Sequence, residues 1–241
     1  MRLRVQPLFE TIFEFRFDPT QKTVSELTPG LLYSELGEEY PESELQPIGT
    51  VPREMRARDQ RLMHVASHRL IGPEGVIQIG DRVLGVAKTH PYRGWADFQE
   101  RITRFLTAVR KLSLVDRVKR CSMKSVNILA PAEPHQLTRI RASLSLAGQP
   151  IPEAGFLLRT EYREGSNALV VQIHPNATAT LKDSGPRTGL LVDLDYIESY
   201  QPAMDLWRGP EALVDRLHNT TKSAFFALLT AETLASLGPE Y

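Results

Sequence analysis

The segment Phe9-Glu-Thr-Ile-Phe-Glu-Phe-Arg-Phe17 alternates in side-chain character along its whole length. If it is extended, one face carries Phe9, Thr11, Phe13, Phe15 and Phe17. The opposite face then carries Glu10, Ile12, Glu14 and Arg16. Period-two alternation of this kind is typical of a strand that is buried on one side and solvated on the other. The segment therefore predicts a half-buried β-strand, which ends at Asp18-Pro19.

Helix and strand signals continue through the first half of the chain. A helix is predicted within Gln21–Glu39, with Thr28 as its N-cap and Pro29 at its first position. A proline-containing loop is predicted over Pro41–Pro52. The elements predicted after it are an edge segment at Arg53–Arg58, strands at Gln60–Ile71, Val76–Ile79 and Val83–Ala87, and a long amphipathic helix at Trp95–Leu112.

The second half shows the same kinds of signal in a similar order. The predicted elements are a strand at Arg117–Leu129, a helix at His135–Leu146, strands at Gly155–Tyr162, Ala168–His174, Ala177–Leu181 and Gly189–Tyr196, and a last helix at Pro210–Leu237. Each half thus reads strand, helix, several strands and long helix.

This parallel order raises an internal duplication as a hypothesis, with residues 1–115 and 116–241 as two α+β halves of one compact unit. Arg93-Gly94 and Arg208-Gly209 precede the two long helices at an offset of 115 positions. Two unrelated amphipathic helices would also explain the match. The predicted fold class is α+β, a mostly antiparallel curved sheet with long helices packed on one face. Its layout resembles TATA-binding-protein-like and helix-grip folds, an analogy that carries no function.

Composition places the chain among ordinary globular proteins. Hydrophobic residues make up 41% and charged residues 24% of its 241 residues. No apolar run approaches the ~20 residues that a membrane helix needs, and the N-terminus lacks an apolar secretion signal. A single cysteine excludes an internal disulfide framework and a multi-cysteine zinc site. We therefore expect a cytoplasmic protein without a membrane partner and without a cofactor.

Charge is balanced overall but unevenly distributed. Residues 101–124 hold eight Lys or Arg against one acid, Asp116, whereas residues 193–215 hold six acids against one Arg. Two solvated faces would explain this distribution. Alternatively, a basic face meets phosphate or an acidic partner.

Arginine and lysine side chains are the candidate contacts for nucleic acid or a protein partner, because guanidinium groups suit phosphate and carboxylate. The candidate residues are Arg53, Arg56, Arg58, Arg61, Arg69, Arg101, Arg104, Arg117, Lys119, Arg120 and Lys124. Solvated surface arginines are the simpler alternative, and the chain has no ribonucleoprotein-type aromatic motif.

Asp193 and Asp195 form the candidate metal or acid–base pair. On a strand they project from the same face, about 6.6 Å apart. Such carboxylates can hold magnesium or share acid–base work, and a further acid such as Glu14 or Glu161 beside them would support that interpretation. The alternative is the wet face of a sheet.

The remaining reactive residue types give weaker patterns. His64 and His68 lie on a predicted strand, where four residues span about 13 Å, too far for one zinc ion. The other four histidines have no spacing that pairs them locally; they are His90, His135, His174 and His218. Cys121 is predicted to be a small core residue and not a nucleophile. Trp95 is predicted to anchor a structural corner before the long helix, with a binding-site rim as the alternative.

Four segments together resemble a sporadically distributed, functionally uncharacterised bacterial family of similar chain length. They are Phe9–Phe17, Pro91-Tyr-Arg-Gly-Trp95 with Phe98, Leu191-Val-Asp-Leu-Asp195, and Leu217-His218 with Phe226-Ala-Leu-Leu-Thr230. The resemblance covers nearly the whole chain, and Val118–Leu129 fits it less cleanly. It implies no activity, cofactor or catalytic residue, and it associates the chain with mobile or defence-linked genes.

These observations lead to three functional hypotheses. The first is a non-enzymatic binding or assembly protein that docks a protein partner or self-associates, because opposite charges are concentrated in separate stretches. The second is a nucleic-acid-binding subunit that uses the arginine-rich stretches. The third is a metal-dependent enzyme centred on Asp193 and Asp195, which would need another oxygen ligand.

Overall fold

In the computed structural model the protein is α+β, and its largest element is a nine-stranded antiparallel sheet. The structure describes residues 2–19, 24–115, 117–131, 135–152, 156–181 and 185–240. The strands are β1 (Arg2–Leu3), β2 (Leu8–Phe17), β3 (Glu42–Leu45), β4 (Ala66–Gly72), β5 (Gly75–Gly80), β6 (Val83–Thr89), β7 (Arg117–Leu129), β8 (Ser145–Leu146), β9 (Gln149–Pro150), β10 (Leu158–Glu164), β11 (Asn167–Leu181), β12 (Gly185–Asp205) and β13 (Pro239–Glu240).

Helices connect these strands and flank the sheet. The α-helices are α1 (Val24–Leu36), α2 (Arg53–Arg58), α3 (Trp95–Lys111), α4 (Pro210–Leu228) and α5 (Ala231–Ser236), and the short 3-10 helices are Pro47–Thr50 and Gln136–Arg139. Within the described residues, no helix combines the length and apolar composition that a bilayer crossing requires.

The large sheet has the strand order β10-β11-β12-β7-β2-β6-β5-β4-β3. Two central strands, β2 and β7, come from different halves of the chain and pair directly. On either side of them, a meander of antiparallel strands runs outward: β6, β5 and β4 beside β2, and β12, β11 and β10 beside β7. In each half, therefore, the first strand pairs with the last strand of its meander.

The alternation of β2 places its phenylalanines in the core. Phe13 and Phe15 are fully buried, and the ring centroids of Phe15 and Phe105 of α3 are 6.0 Å apart. Leu213 and Leu217 of α4 belong to the same apolar cluster. Both long helices thus share a core with the central strand.

A second apolar cluster lies beneath the last part of the chain. It joins Leu3 to Ile173, Val192 and Leu194 of the outer strands and to Phe225 of α4. Phe225 also packs edge-on against Phe226, with ring centroids 5.7 Å apart. The short pairing of β1 with β13 holds the N-terminal segment next to this cluster.

Several predicted elements are confirmed. The strand predicted at Arg117–Leu129 is β7 with the same bounds, and the strand predicted at Phe9–Phe17 is β2, which begins at Leu8. The helix predicted at Trp95–Leu112 is α3, which ends at Lys111. Asp116 lies outside the described residues. So do Gln21 and Gly155, at which two of the predicted elements start.

The N-cap prediction at Thr28 was wrong. Helix α1 extends from Val24 to Leu36, so Pro29 lies inside it. A proline at this position removes one backbone hydrogen bond. Thr28 and Leu32 are nevertheless buried, and this packing supports the helix despite the proline.

The segments between Pro41 and Ile71 also differ from expectation. The loop predicted at Pro41–Pro52 contains β3 and a 3-10 helix, and the edge segment predicted at Arg53–Arg58 is the helix α2. The strand predicted from Gln60 begins only at Ala66. Alternating arginines are compatible with either conformation, so the local pattern could not separate helix from strand here.

The later predictions erred in element length. The helix predicted at His135–Leu146 is only a one-turn 3-10 helix. The last predicted helix divides into α4 and α5, because Leu229 is extended and bridges to Ile140 while Thr230 caps α5. Two of the predicted strands, those of Ala168–His174 and Ala177–Leu181, are one continuous β11, and β12 extends well beyond its predicted range.

We expect Phe15→Ala to lower the free energy of unfolding by about 3–5 kcal/mol, because the substitution leaves a cavity among packed rings. Urea unfolding followed by circular dichroism measures the loss. Tyr162→Ala is the matched control, since Tyr162 is an aromatic strand residue whose exposed fraction is 64%. It should cost under about 1 kcal/mol. Equal losses for the two variants would contradict the assignment of Phe15 to the core.

Candidate functional site

The candidate arginines and lysines lie on several elements, namely α2 and the turn after it, β4, α3 and β7. Arg56 is buried and makes a bidentate ion pair with Asp81, with Nε–Oδ2 and Nη2–Oδ1 distances of 2.9 and 3.0 Å. Its Nη1 also donates to the carbonyl oxygen of Val51 at 2.6 Å. This pair joins α2 to the β5–β6 turn. Arg56 is therefore a structural residue and is not available to a phosphate.

Most of the other candidate cations also pair with acids of the same chain. The pairs are Arg53–Glu26, Arg61–Asp59, Arg101–Asp97, Arg101–Glu74, Arg104–Glu39, Arg104–Glu100 and Lys119–Asp18. Within the described part of the chain, Arg58, Arg69 and Arg117 form no ion pair.

The paired aspartates meet basic residues of the neighbouring strand. Lys124 Nζ of β7 lies 2.9 Å from Asp193 Oδ2, and Arg120 Nη2 lies 3.2 Å from Asp195 Oδ2. Gln172 donates a further hydrogen bond to Asp193 Oδ2 at 3.1 Å. Burial raises the pKa of Asp193, and the nearby Lys124 opposes this rise. Two cations of the basic stretch thus pair with two acids of the acidic stretch across β7 and β12.

The metal hypothesis gains no ligand from this arrangement. Among the residues that the structure describes, no group of three or more His, Cys, Asp or Glu could hold a metal ion. Glu14 and Glu161 act electrostatically on Arg120, as Asp195 does. Each of these acids has a basic partner: Asp195 pairs with Arg120, Glu14 with Arg16 and Glu161 with Arg163. His68 lies on β4 and His64 in the preceding turn.

Cys121 is fully buried in β7, and burial raises the pKa of its thiol. A buried thiol that stays protonated is a poor nucleophile.

A cavity of about 300 Å³ lies between the central strands and the two long helices. The start of α3 borders it with Tyr92, Gly94 and Trp95. Strands β2 and β7 border it with Thr11, Met123, Ser125 and Asn127, and α4 with His218, Thr221, Lys222, Phe225 and Phe226. The β2–β7 pairing brings Thr11 opposite Ser125. Elements from both halves of the chain therefore build one concave site.

The indole of Trp95 and the imidazole of His218 stack at this cavity. Their ring centroids are 3.7 Å apart, and their planes differ by 7°. Trp95 Nε1 donates to Asp215 Oδ1 at 3.2 Å, and Gln99 Nε2 donates to the same oxygen at 2.9 Å. Asp215 thus fixes the indole of one long helix to the other helix.

The stacked histidine is neutral at pH 7. The pKa of His218 is lowered to about 4, mainly by burial and also by the neighbouring Lys222, while Asp215 opposes this shift. A neutral imidazole can donate one hydrogen bond and accept another. His218 therefore offers the cavity a polar but uncharged group.

Polar groups at the cavity floor are held by the sheet. Thr11 donates through Oγ1 to the carbonyl oxygen of Lys124 at 3.0 Å, and Asn127 Nδ2 lies 3.5 Å from the carbonyl oxygen of Val192. Thr221 Oγ1 of α4 donates to the carbonyl oxygen of Met123 at 3.1 Å. These bonds orient a few polar atoms within a mainly apolar lining, the usual composition of a small-molecule site.

Sequence reasoning found only part of this site. Trp95 was predicted to be a corner residue with a binding rim as the alternative, and it does border the cavity. His218 and Lys222 were missed as site residues, because the residues they approach lie more than a hundred positions away in sequence. The one available signal was their spacing of four on a helix, which places both on one face.

No protein-family model matches the chain, and no curated protein matches it significantly.

We expect His218 to make stability depend on pH. The unfolded imidazole has a pKa near 6.5, whereas the folded one has a pKa of about 4. Below pH 6.5 the unfolded chain takes up a proton that the folded chain resists, so the free energy of unfolding falls as the pH drops from 6.5 to 4. The part due to His218 is on the order of 1–2 kcal/mol after allowance for partial exposure.

Urea unfolding at pH 7.5 and pH 4.5 checks this. The pH-dependent loss should be smaller in His218→Gln than in the wild type, because glutamine does not titrate. His135→Gln, at an exposed histidine, is the control and should keep the wild-type loss. Parallel curves for wild type and His218→Gln would refute the assignment.

Proposed function

We propose that this chain is a non-enzymatic binding protein that takes a small organic ligand into the cavity between α3, α4 and the central strands. The observation that carries the proposal is the cavity itself, whose volume of about 300 Å³ is within the range of ligand sites. Its lining combines aromatic and aliphatic surface with a few fixed polar atoms. This composition suits shape-selective binding.

The chemistry of the lining supports binding over catalysis. A general acid–base site needs a titrating group that an orienting partner holds beside the substrate. Here His218 stacks on Trp95, and the Oδ1 atom of Asp215 accepts from Trp95 and Gln99. The thiol of Cys121 is buried. Ser125 Oγ accepts a hydrogen bond from Asn127 Nδ2 at 3.4 Å. These groups stabilise the site and do not form a nucleophile–base pair.

We also propose that the two halves are copies of one unit and that both long helices occupy the same face of the sheet. Three features support this. The two meanders have the same order, and Gly94 and Gly209 both precede a long helix with positive φ angles of 119° and 85°. Arg101 and Arg216, at the same offset, both pair with acids. The cavity would then mark the junction of the two copies.

The pairing of charges bears on the other hypotheses. Arg120 and Lys124 of the basic stretch pair with Asp195 and Asp193 of the acidic stretch, inside one sheet. These two pairs offset part of the charge asymmetry that favoured docking of a charged partner. They also leave less free positive charge for a nucleic-acid backbone. Self-association, nucleic-acid binding and the bacterial family resemblance stay predictions.

We expect Ser125→Phe to abolish ligand binding, because a ring added on β7 would fill the cavity. The measurement is a screen of small organic compounds by ligand-detected NMR, with affinities of the hits from titration. Ser43→Phe adds the same ring on the exposed edge strand β3 and should leave every hit unchanged.

Circular dichroism should show that both variants are folded. A screen without hits, or hits that bind Ser125→Phe as tightly as the wild type, would refute the proposed function.

A further inference from the structure

The charges around the cavity have one sign. Of the residues that line it, Arg93 and Lys222 carry formal charge, and both are cations. No aspartate or glutamate is among the described lining residues. The protein as a whole has zero net charge, so the positive charge of the cavity lining is a local property. A site whose formal charges are all positive disfavours cationic ligands and favours anions.

Lys222 is the cation best placed to hold an anion inside the cavity. It lies on α4 one turn after His218, is partly buried, and forms no ion pair within the described residues. A partly desolvated ammonium group gains from an opposite charge. Arg93, in contrast, pairs with Glu74 at 2.9 Å, and its side chain is 61% exposed. Arg93 therefore belongs to the rim.

Two acids on the helices that border the cavity are engaged elsewhere. Asp215 Oδ1, three residues before His218 on α4, accepts hydrogen bonds from Trp95 and Gln99. Asp97, at the start of α3, pairs with Arg101 at 3.2 Å. The positive end of the α3 dipole also borders the cavity, because the helix begins at Trp95. These features leave the ammonium of Lys222 as a free counter-charge for a ligand.

The rest of the lining selects the ligand's body. Leu3, Leu8, Met123, Phe225 and Phe226 supply aliphatic and aromatic surface. An inorganic anion would leave this surface in contact with water, whereas an alkyl or aryl group would cover it. A medium-length apolar body is consistent with a volume near the lower end of ligand sites.

From these observations we infer that the ligand is an organic carboxylate with an apolar body, whose carboxylate pairs with Lys222 while its body fills the space between α4 and the central strands. This inference rests on the proposed function. It adds the chemical class of the ligand and the residue that recognises it. His218 stays neutral at pH 7, so it can add a hydrogen bond to the carboxylate without supplying charge.

Three probes with one apolar chain test the class. Octanoate, octanamide and octylamine differ in the head group, which is anionic, neutral or cationic at pH 7.5. Isothermal titration calorimetry should show that octanoate binds at least about tenfold more tightly than the other two, because only it pairs with an ammonium group. Acetate, which lacks the body, should not bind measurably.

Lys222→Met tests the recognising residue. Methionine keeps an unbranched side chain and removes the charge, so the preference for octanoate over octanamide should disappear. Lys111→Met is the matched control, since Lys111 is an exposed lysine of α3 that pairs with Glu35. It makes the same change in net charge and should keep the preference. Lys222→Arg retains the cation and should keep it as well.

The outcomes separate the inference from the proposed function. If octanamide or octylamine binds the wild type as well as octanoate, and Ser125→Phe abolishes that binding, the cavity is the ligand site but the carboxylate class is wrong. If Lys222→Met leaves the preference unchanged, Lys222 is not the recognising residue. If none of the probes binds, the inference fails, and a compound screen without hits removes the proposed function too.

Discussion

The antiparallel pairing of β2 with β7 is the contact on which the rest of the structure depends. It joins strands from the two halves of the chain and places Phe13 opposite Met123. Because alternate residues of a strand point to opposite faces, this register fixes which residues meet the helices. A slip by one position would move Phe13 and Phe15 out of the core and bring Glu14 into it. The cavity depends on the same register, since Thr11 and Ser125 lie opposite each other in it.

The order of the strands in the sheet also decides which charged residues pair. The sequence separates a basic stretch from an acidic one, but β7 and β12 are neighbours in the sheet, so Lys124 meets Asp193 and Arg120 meets Asp195. An ion pair between strands far apart in sequence helps to set which strands lie side by side. Charge segregation along a chain therefore need not create charge segregation on its surface. Among the residues that the structure describes, a cation without an ion-pair partner, such as Lys222, is more informative about ligands than the count of charged residues.

The sequence predicted the parts of the fold that have strong local periodicity. The alternation of β2 and the apolar stripe of α3 each identified the element and nearly its bounds. Prediction failed where a distant contact decides the local structure: Arg56 pairs with Asp81 on a turn remote in sequence, and Leu229 bridges to Ile140. The candidate site could not be predicted from the sequence for the same reason. The stack of Trp95 on His218 joins two helices, and no local pattern reports such a contact.

The central pairing has a consequence for biosynthesis. Strand β2 is complete at Phe17, whereas its partner β7 ends at Leu129. The ribosome must therefore add 112 residues before the two strands can pair along their full length. At the usual elongation rate this takes roughly 6–20 seconds. Pairing with β6 can cover one edge of β2 earlier, but the other edge stays open with its phenylalanines beside it. During that interval the nascent chain presents an unpaired strand edge, which is a surface on which other chains can pair.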